Sequence, residues 1–209
     1  DREAGHRDAR PGGRGGDPYR AALARETQGE DEASLARSTV YDYLAALQRL
    51  MLLDDVPAWS PHLRSKAALR QEPKRHFVDP SLAVAALAVN PKRLLADLNY
   101  AGFLFESMVV RDLRVLSAPL GGVVSHYRDS NGVEADIVLQ LPDGSWAAFE
   151  VKLGSERVDE AAASLQRFKG AIDTSKSGEP AALGVITTAT YGYIRKDGVA
   201  VIPIGALCP

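Results

Sequence analysis

Asp136 and Glu150 are separated by thirteen residues, and Lys152 follows Glu150 two places on. Two carboxylates brought to one surface repel each other, so a chain that places them together supplies something cationic beside them. One such cation is magnesium or manganese, since hard divalent ions take carboxylate oxygens, at about 2.0–2.1 Å for magnesium. A lysine is another. An ammonium next to a metal-bearing carboxylate pair can lower the pKa of a bound water or steady the charge of a transition state.

These residues are positioned by the stretch 132–154, GVEADIVLQLPDGSWAAFEVKLG. Two alternating runs flank Pro142-Asp143-Gly144, which reads as a β-hairpin. Val133, Ala135, Ile137, Leu139 and Leu141 fall on one face, and Glu134, Asp136, Val138 and Gln140 on the other. A three-residue loop with Gly144 left-handed sets Leu141 opposite Ser145. Asp136 then faces Glu150, and Glu134 faces Lys152. Glu134 either neutralises the Lys152 ammonium or joins the metal ligands. The same four charges also read as a cross-strand network without metal, worth about 0–1 kcal/mol per exposed pair. Upstream, the periodicity predicts a helix over 100–116 with Phe105, Val109, Leu113 and Leu116 buried. Glu106 lies at the rim of that stripe, where a carboxylate can reach a sheet.

Asp136 with Glu150-Val151-Lys152 resembles the D…ExK core of the PD-(D/E)xK nuclease superfamily. A longer series is similar to the C-terminal half of prokaryotic predicted AAA-type ATPases. It comprises Lys74-Arg75-His76-Phe77-Val78-Asp79, Gly102-Phe103-Leu104-Phe105-Glu106, Tyr127-Arg128, Gly132-Val133-Glu134-Ala135-Asp136 and Phe149-Glu150-Val151-Lys152. The resemblance covers roughly residues 35–170. It implies an α/β fold: a restriction-endonuclease-like core, with a mixed sheet flanked by helices, preceded by a small, shortened winged-helix-like segment. It also implies Asp136, Glu150 and Glu106 as metal ligands and Lys152 as the residue that activates water. Asp136, Glu150 and Lys152 would then be the catalytic set, Mg2+ or Mn2+ the cofactor, and an AAA-type ATPase module the partner.

The chain of 209 residues is 45% hydrophobic and 25% charged, with a net charge of −2. That composition suits an ordinary globular protein. No run of about 18 apolar residues predicts a membrane span, and no secretory leader opens the chain. The single cysteine, Cys208, points to a reducing cytoplasm. The four histidines, His6, His62, His76 and His126, are dispersed. A nucleic-acid partner would need a local basic patch. Arg64, Lys66, Arg70, Lys74 and Arg75 form one, and Arg128 adds to it; the same loop also reads as a solvated connector.

In order, residues 1–17 are a Gly/Arg/Asp-rich tail. Residues 18–75 make the winged-helix-like segment and linker, with a helix over 34–54 capped by Ser38. Residues 76–209 make the nuclease-like α/β domain. Strands are expected at 76–78, 123–127, 182–187 and 199–204 beside the hairpin. A helix over 156–169 turns Val158, Ala161, Ala162, Leu165 and Phe168 inward. No Gly-Lys-Ser/Thr phosphate loop occurs, so the chain alone is expected to lack ATPase activity. Three functions stand open: a metal-dependent nuclease-like domain acting on nucleic acid, a non-catalytic nuclease-fold scaffold, and a winged-helix DNA-binding regulator.

Overall fold

A computed structural model describes residues 37–61 and 72–207. The tail, the helix expected before residue 37, the loop bearing Arg64, Lys66 and Arg70, and Cys208 lie outside the described residues. The chain divides into two compact units, 1–43 and 44–209. Helix α1, Arg37–Arg49, runs across that boundary and contains Ser38.

Within the second unit, β1 (Leu53–Val56) and β2 (Lys74–Phe77) pair antiparallel. Two short helices follow, α2 (Pro80–Ala86) and α3 (Pro91–Ala96). Asp79 and Asn90 cap them through Ser81 N–H and Arg93 N–H, each with proline at the first turn. Helix α4 runs from Leu98 to Ser117. Then come β3 (Val123–Arg128), β4 (Glu134–Gln140), β5 (Trp146–Lys152), α5 (Val158–Ala171) and the single turn α6 (Thr174–Ser177). Strands β6 (Ala182–Thr187), β7 (Tyr193–Ile194) and β8 (Ala200–Pro203) complete the chain.

The six-stranded sheet has the order β3-β4-β5-β6-β8-β7. Strands β3, β4 and β5 form an antiparallel meander, while β5, β6 and β8 run parallel, with α5 connecting β5 to β6. Short loops allow antiparallel neighbours, whereas a parallel pair needs a crossover such as this helix. Helices cover both faces. On one, Leu165 and Phe168 of α5 pack with Trp59, Tyr127, Trp146 and Val185. On the other, Phe105, Val109 and Leu113 of α4 pack with Ile137, Phe149 and Ile186. Each fully buried large side chain contributes about 1.5–3 kcal/mol. Leu116, expected in the α4 stripe, is only half-buried, and Ser117 one place on is buried.

The hairpin loop is as the sequence predicts. Leu141 N–H donates to Ser145 O, and Gly144 sits at φ +88, a conformation that favours glycine. The β4–β5 ladder keeps the expected register from Gln140–Trp146 to Ile137–Phe149. The strict alternation of β4 does not hold. Ser125 pairs with Val138 but Tyr127 with Ala135, so Asp136 and Ile137 together oppose His126. This β-bulge resets which side chains face which way. Ala135 and Val138 join the α5 core, whereas Ile137 and Leu139 join the α4 core.

Candidate functional site

The bulge falls at the chemically interesting residue. Past Ile137–Phe149 the hairpin ladder stops, and Val151 N–H donates to the Asp136 carboxylate (2.9 Å to Oδ2). The strand ends open around that side chain. Lys152 Nζ lies 3.4 Å from Asp136 Oδ2 and 2.7 Å from Glu150 Oε2. Asp136 and Glu150 therefore converge on one ammonium. From β2, Lys74 pairs with Glu106 of α4, and its Nζ is 3.9 Å from Asp136 Oδ1. Glu106 at the helix rim is thus drawn to the cluster through Lys74. Three carboxylates and two ammoniums interleave in a largely buried place, one net negative charge when every carboxyl is ionised: the Glu150 side chain is 6% exposed and Asp136 19%.

Burial alone would raise Asp136, but the Lys74 and Lys152 ammoniums and the Val151 N–H outweigh it and hold the carboxyl below its ordinary range. Glu150 goes the other way. Burial, then the Asp136 charge, push it up to about 7 against the pull of Lys152. Glu106 is raised by burial despite Lys74. Burial would lower both lysines; Glu106 and Asp136 around Lys74, and Asp136 and Glu150 around Lys152, raise them instead. Both are fixed cations at neutral pH. Behind them His76 is buried, bonded through Nδ1 to Ser107 Oγ at 3.1 Å, and kept neutral: burial, then the Lys74 and His126 charges, lower it to about 3.

Other candidates fall elsewhere. Glu134 does not meet Lys152; it pairs with Arg128 (3.0 Å) on the neighbouring β3–β4 rung. It still lines the cleft beside Asp136, with its carboxylate turned to Arg128 rather than to Lys152. Of the residues expected to contact phosphates, Arg128 is taken up by Glu134, Arg75 lies 3.5 Å from Asp55, and Lys74 is held by Glu106. Arg64, Lys66 and Arg70 lie outside the described residues. His126 is a strand residue whose Nε2 lies 3.2 Å from Glu72 O.

A polar cleft of about 430 Å³ opens over the site, with Asp136, Glu150 and Lys152 in its lining and Ser164 and Arg167 of α5 on one wall. Neither α5 residue stood out in the sequence, because polar positions on an amphipathic helix read as solvated surface. Among the described residues no three His, Cys, Asp or Glu side chains stand close enough to enclose an ion by themselves. The donor set still suits a hard divalent cation. Asp136 Oδ1 is beyond hydrogen-bond reach of Lys74, and the Glu150 carboxyl is buried beside it on the same cleft. A cation there would rest on Asp136 and Glu150, with main-chain or water oxygens completing its shell.

Fold and site define a mixed α/β domain with a buried carboxylate–lysine network at the open end of its hairpin. The chain belongs to the DUF4143 family, a domain of unknown function, whose model matches residues 101–207. A second model, DUF8612, also a domain of unknown function, matches residues 20–93. Lys74 lies in that second match, and the other four cluster residues lie in the first. No curated protein and no solved structure matches the chain. Among the described residues no helix is long and apolar enough to cross a membrane.

Proposed function

We propose that the chain carries a cation-dependent phosphodiesterase domain of the PD-(D/E)xK type, acting on nucleic acid and working with an AAA-type ATPase module. One observation carries this reading: Asp136 and Glu150 converge on the Lys152 ammonium where the β4–β5 ladder opens. Asp136 and Glu150 would hold Mg2+ or Mn2+, with the Val151 carbonyl as a further ligand. Such an ion lowers the pKa of a bound water and neutralises phosphoryl oxygens. Lys152 is held cationic by both acids, so it stabilises the negative charge of the transition state rather than removing a proton. The reaction is hydrolysis: the water oxygen bonds to phosphorus and gives up a proton to solvent, the bridging P–O bond breaks, and the released oxygen takes up a proton from solvent, so one water is consumed per bond cleaved.

A second reading has an observation of its own. Lys74 and Lys152 together pair with all three carboxylates, as a non-catalytic scaffold would require. The third, a winged-helix DNA-binding regulator, is supported only by α1 followed by the antiparallel β1–β2 pair.

The test is thermal unfolding with and without Mg2+ or Mn2+, alongside cleavage of labelled single- and double-stranded DNA and RNA. Binding to the folded form alone adds about 2.7 kcal/mol at a hundredfold excess over Kd. The melting temperature should rise, and Asp136→Asn should suppress both the rise and cleavage. A cation-independent melt with no cleavage would favour the scaffold.

A further inference from the structure

The cleft over the carboxylates has one cationic wall that the chemistry so far leaves unused. Ser164 and Arg167 are one helical turn apart on α5 and both line the cleft that contains Asp136, Glu150 and Lys152. Buried Ala161, Leu165 and Phe168 seat α5 on the sheet and so fix the wall in place. Arg167 is exposed, and among the described residues no carboxylate stands within ion-pair distance of it, although its charge reaches Glu160 from further off. Glu160, two turns earlier on α5, is engaged by Arg157 at 2.9 Å. The other cationic side chains at the site are different: Lys74, Lys152 and Arg128 all hold carboxylates.

We infer that Arg167, with Ser164, anchors a backbone phosphate of a single-stranded nucleic acid, and that it does so only once a divalent cation occupies Asp136 and Glu150. This rests on the phosphodiesterase reading and names its substrate class. The guanidinium presents a planar fork of donors that matches phosphate, and the serine hydroxyl adds a donor beside it. The requirement for a cation follows from charge. Asp136 and Glu150 face Lys152 and Arg167 in the lining, and Glu134 is turned to Arg128, so the cleft without a cation has no surplus positive charge to hold an anion. One divalent ion supplies that surplus. The single-strand preference follows from size. The cleft lies in the range of about 300–1,000 Å³ that accepts a small-molecule-sized group, which is one nucleotide and not a base-paired duplex.

The experiment uses the whole chain and a fluorescein-labelled oligothymidylate, followed by fluorescence anisotropy in calcium chloride and in EDTA. A hairpin duplex of equal length is the comparison. Melting temperature is recorded for each protein with and without the cation. Wild type should bind the single strand with calcium, not in EDTA, and bind the duplex more weakly. Arg167→Ala should weaken binding about tenfold and lower the salt slope by about one, while Arg167→Lys retains the slope. The cation-dependent rise in melting temperature should be the same in wild type and Arg167→Ala. If that rise is present but Arg167→Ala binds like wild type, or wild type binds no oligothymidylate, the phosphate anchor is overturned and the cation site stands. Duplex binding equal to or tighter than the single strand overturns the substrate class. Absence of the rise in wild type overturns the phosphodiesterase reading itself.

Discussion

The Asp136 carboxylate accepts the main-chain N–H of Val151 at 2.9 Å, just beyond the point where the β4–β5 ladder ends. A side chain thus replaces a rung of the sheet, and the same oxygen faces Lys152. Asp136→Ala would leave that N–H unpaired and two ammoniums short of a partner. Losing one member of a buried charged set costs about 3 kcal/mol. Chemical denaturation should show a loss of that size, and a smaller one for Asp136→Asn, which still offers Val151 an acceptor. An Asp136→Ala protein as stable as wild type would mean that repulsion between Asp136 and Glu150 outweighs these bonds.

Lys74 is the partner that opposes the rise burial imposes on Glu106 inside the α4–β2 contact. Lys74→Met should destabilise by about 3 kcal/mol, because it strands a buried carboxylate. Adding Glu106→Leu should recover most of that loss, since an apolar pair of similar volume often replaces a buried ion pair at little cost. Urea unfolding of the two single variants and the double variant measures the coupling. Additive losses would show that the two residues act independently.

Much of this was legible in the sequence, and what was not shares a cause. The hairpin register followed from loop length and Gly144, both local. The five inward residues of α5 and the strand Ala182–Thr187 followed from periodicity. The bulge at Asp136 left no mark, because the β4 alternation reads as unbroken; it arises from pairing with β3. Lys74 looked like one of five loop cations. Its partner Glu106 is 32 positions away, and only the packing of β2 against α4 brings them together. Alternation within Lys74–Phe77 was the available clue, since it sets Lys74 on the side of buried His76. Gly184 is a similar case: a Cβ there would come within 2.9 Å of the Phe149 ring, a contact that no local pattern announces.

Glu150 also predicts a pH dependence. Burial and the Asp136 charge push its carboxyl up to about 7 from an ordinary 4.5, so between those values the folded state holds a proton that the unfolded chain releases. The stability it contributes is fully present below the lower value and is lost as pH rises through the upper one. His76 acts oppositely. Lowered to about 3 from 6.5, it contributes stability above 6.5 that is lost as pH falls. Comparing wild type with Glu150→Gln separates them. The difference in melting temperature should shift in favour of Glu150→Gln as pH rises from about 5 to about 8. A constant difference would place the Glu150 pKa near its ordinary value.

The last prediction concerns how many cations the site accepts. Glu106, Asp136 and Glu150 offer enough carboxylates for two divalent ions, but Lys74 already stands between Glu106 and Asp136. With Lys74 and Lys152 in place and every carboxyl ionised, the five side chains carry one net negative charge. One divalent ion turns this to one net positive charge, and a second would leave three in a largely buried cluster, a costly excess. If the cation-dependent reading holds, isothermal titration with Mn2+ should give one site per chain. Lys74→Met should admit a second ion at the Glu106 side, and added Mn2+ should recover part of the stability that this substitution removes. Asp136→Asn should weaken the first site, since Asp136 is one of its two carboxylates. Two equivalent sites in the wild type would show that Lys74 moves aside for metal, and the resident-ammonium account of Glu106 would have to be abandoned.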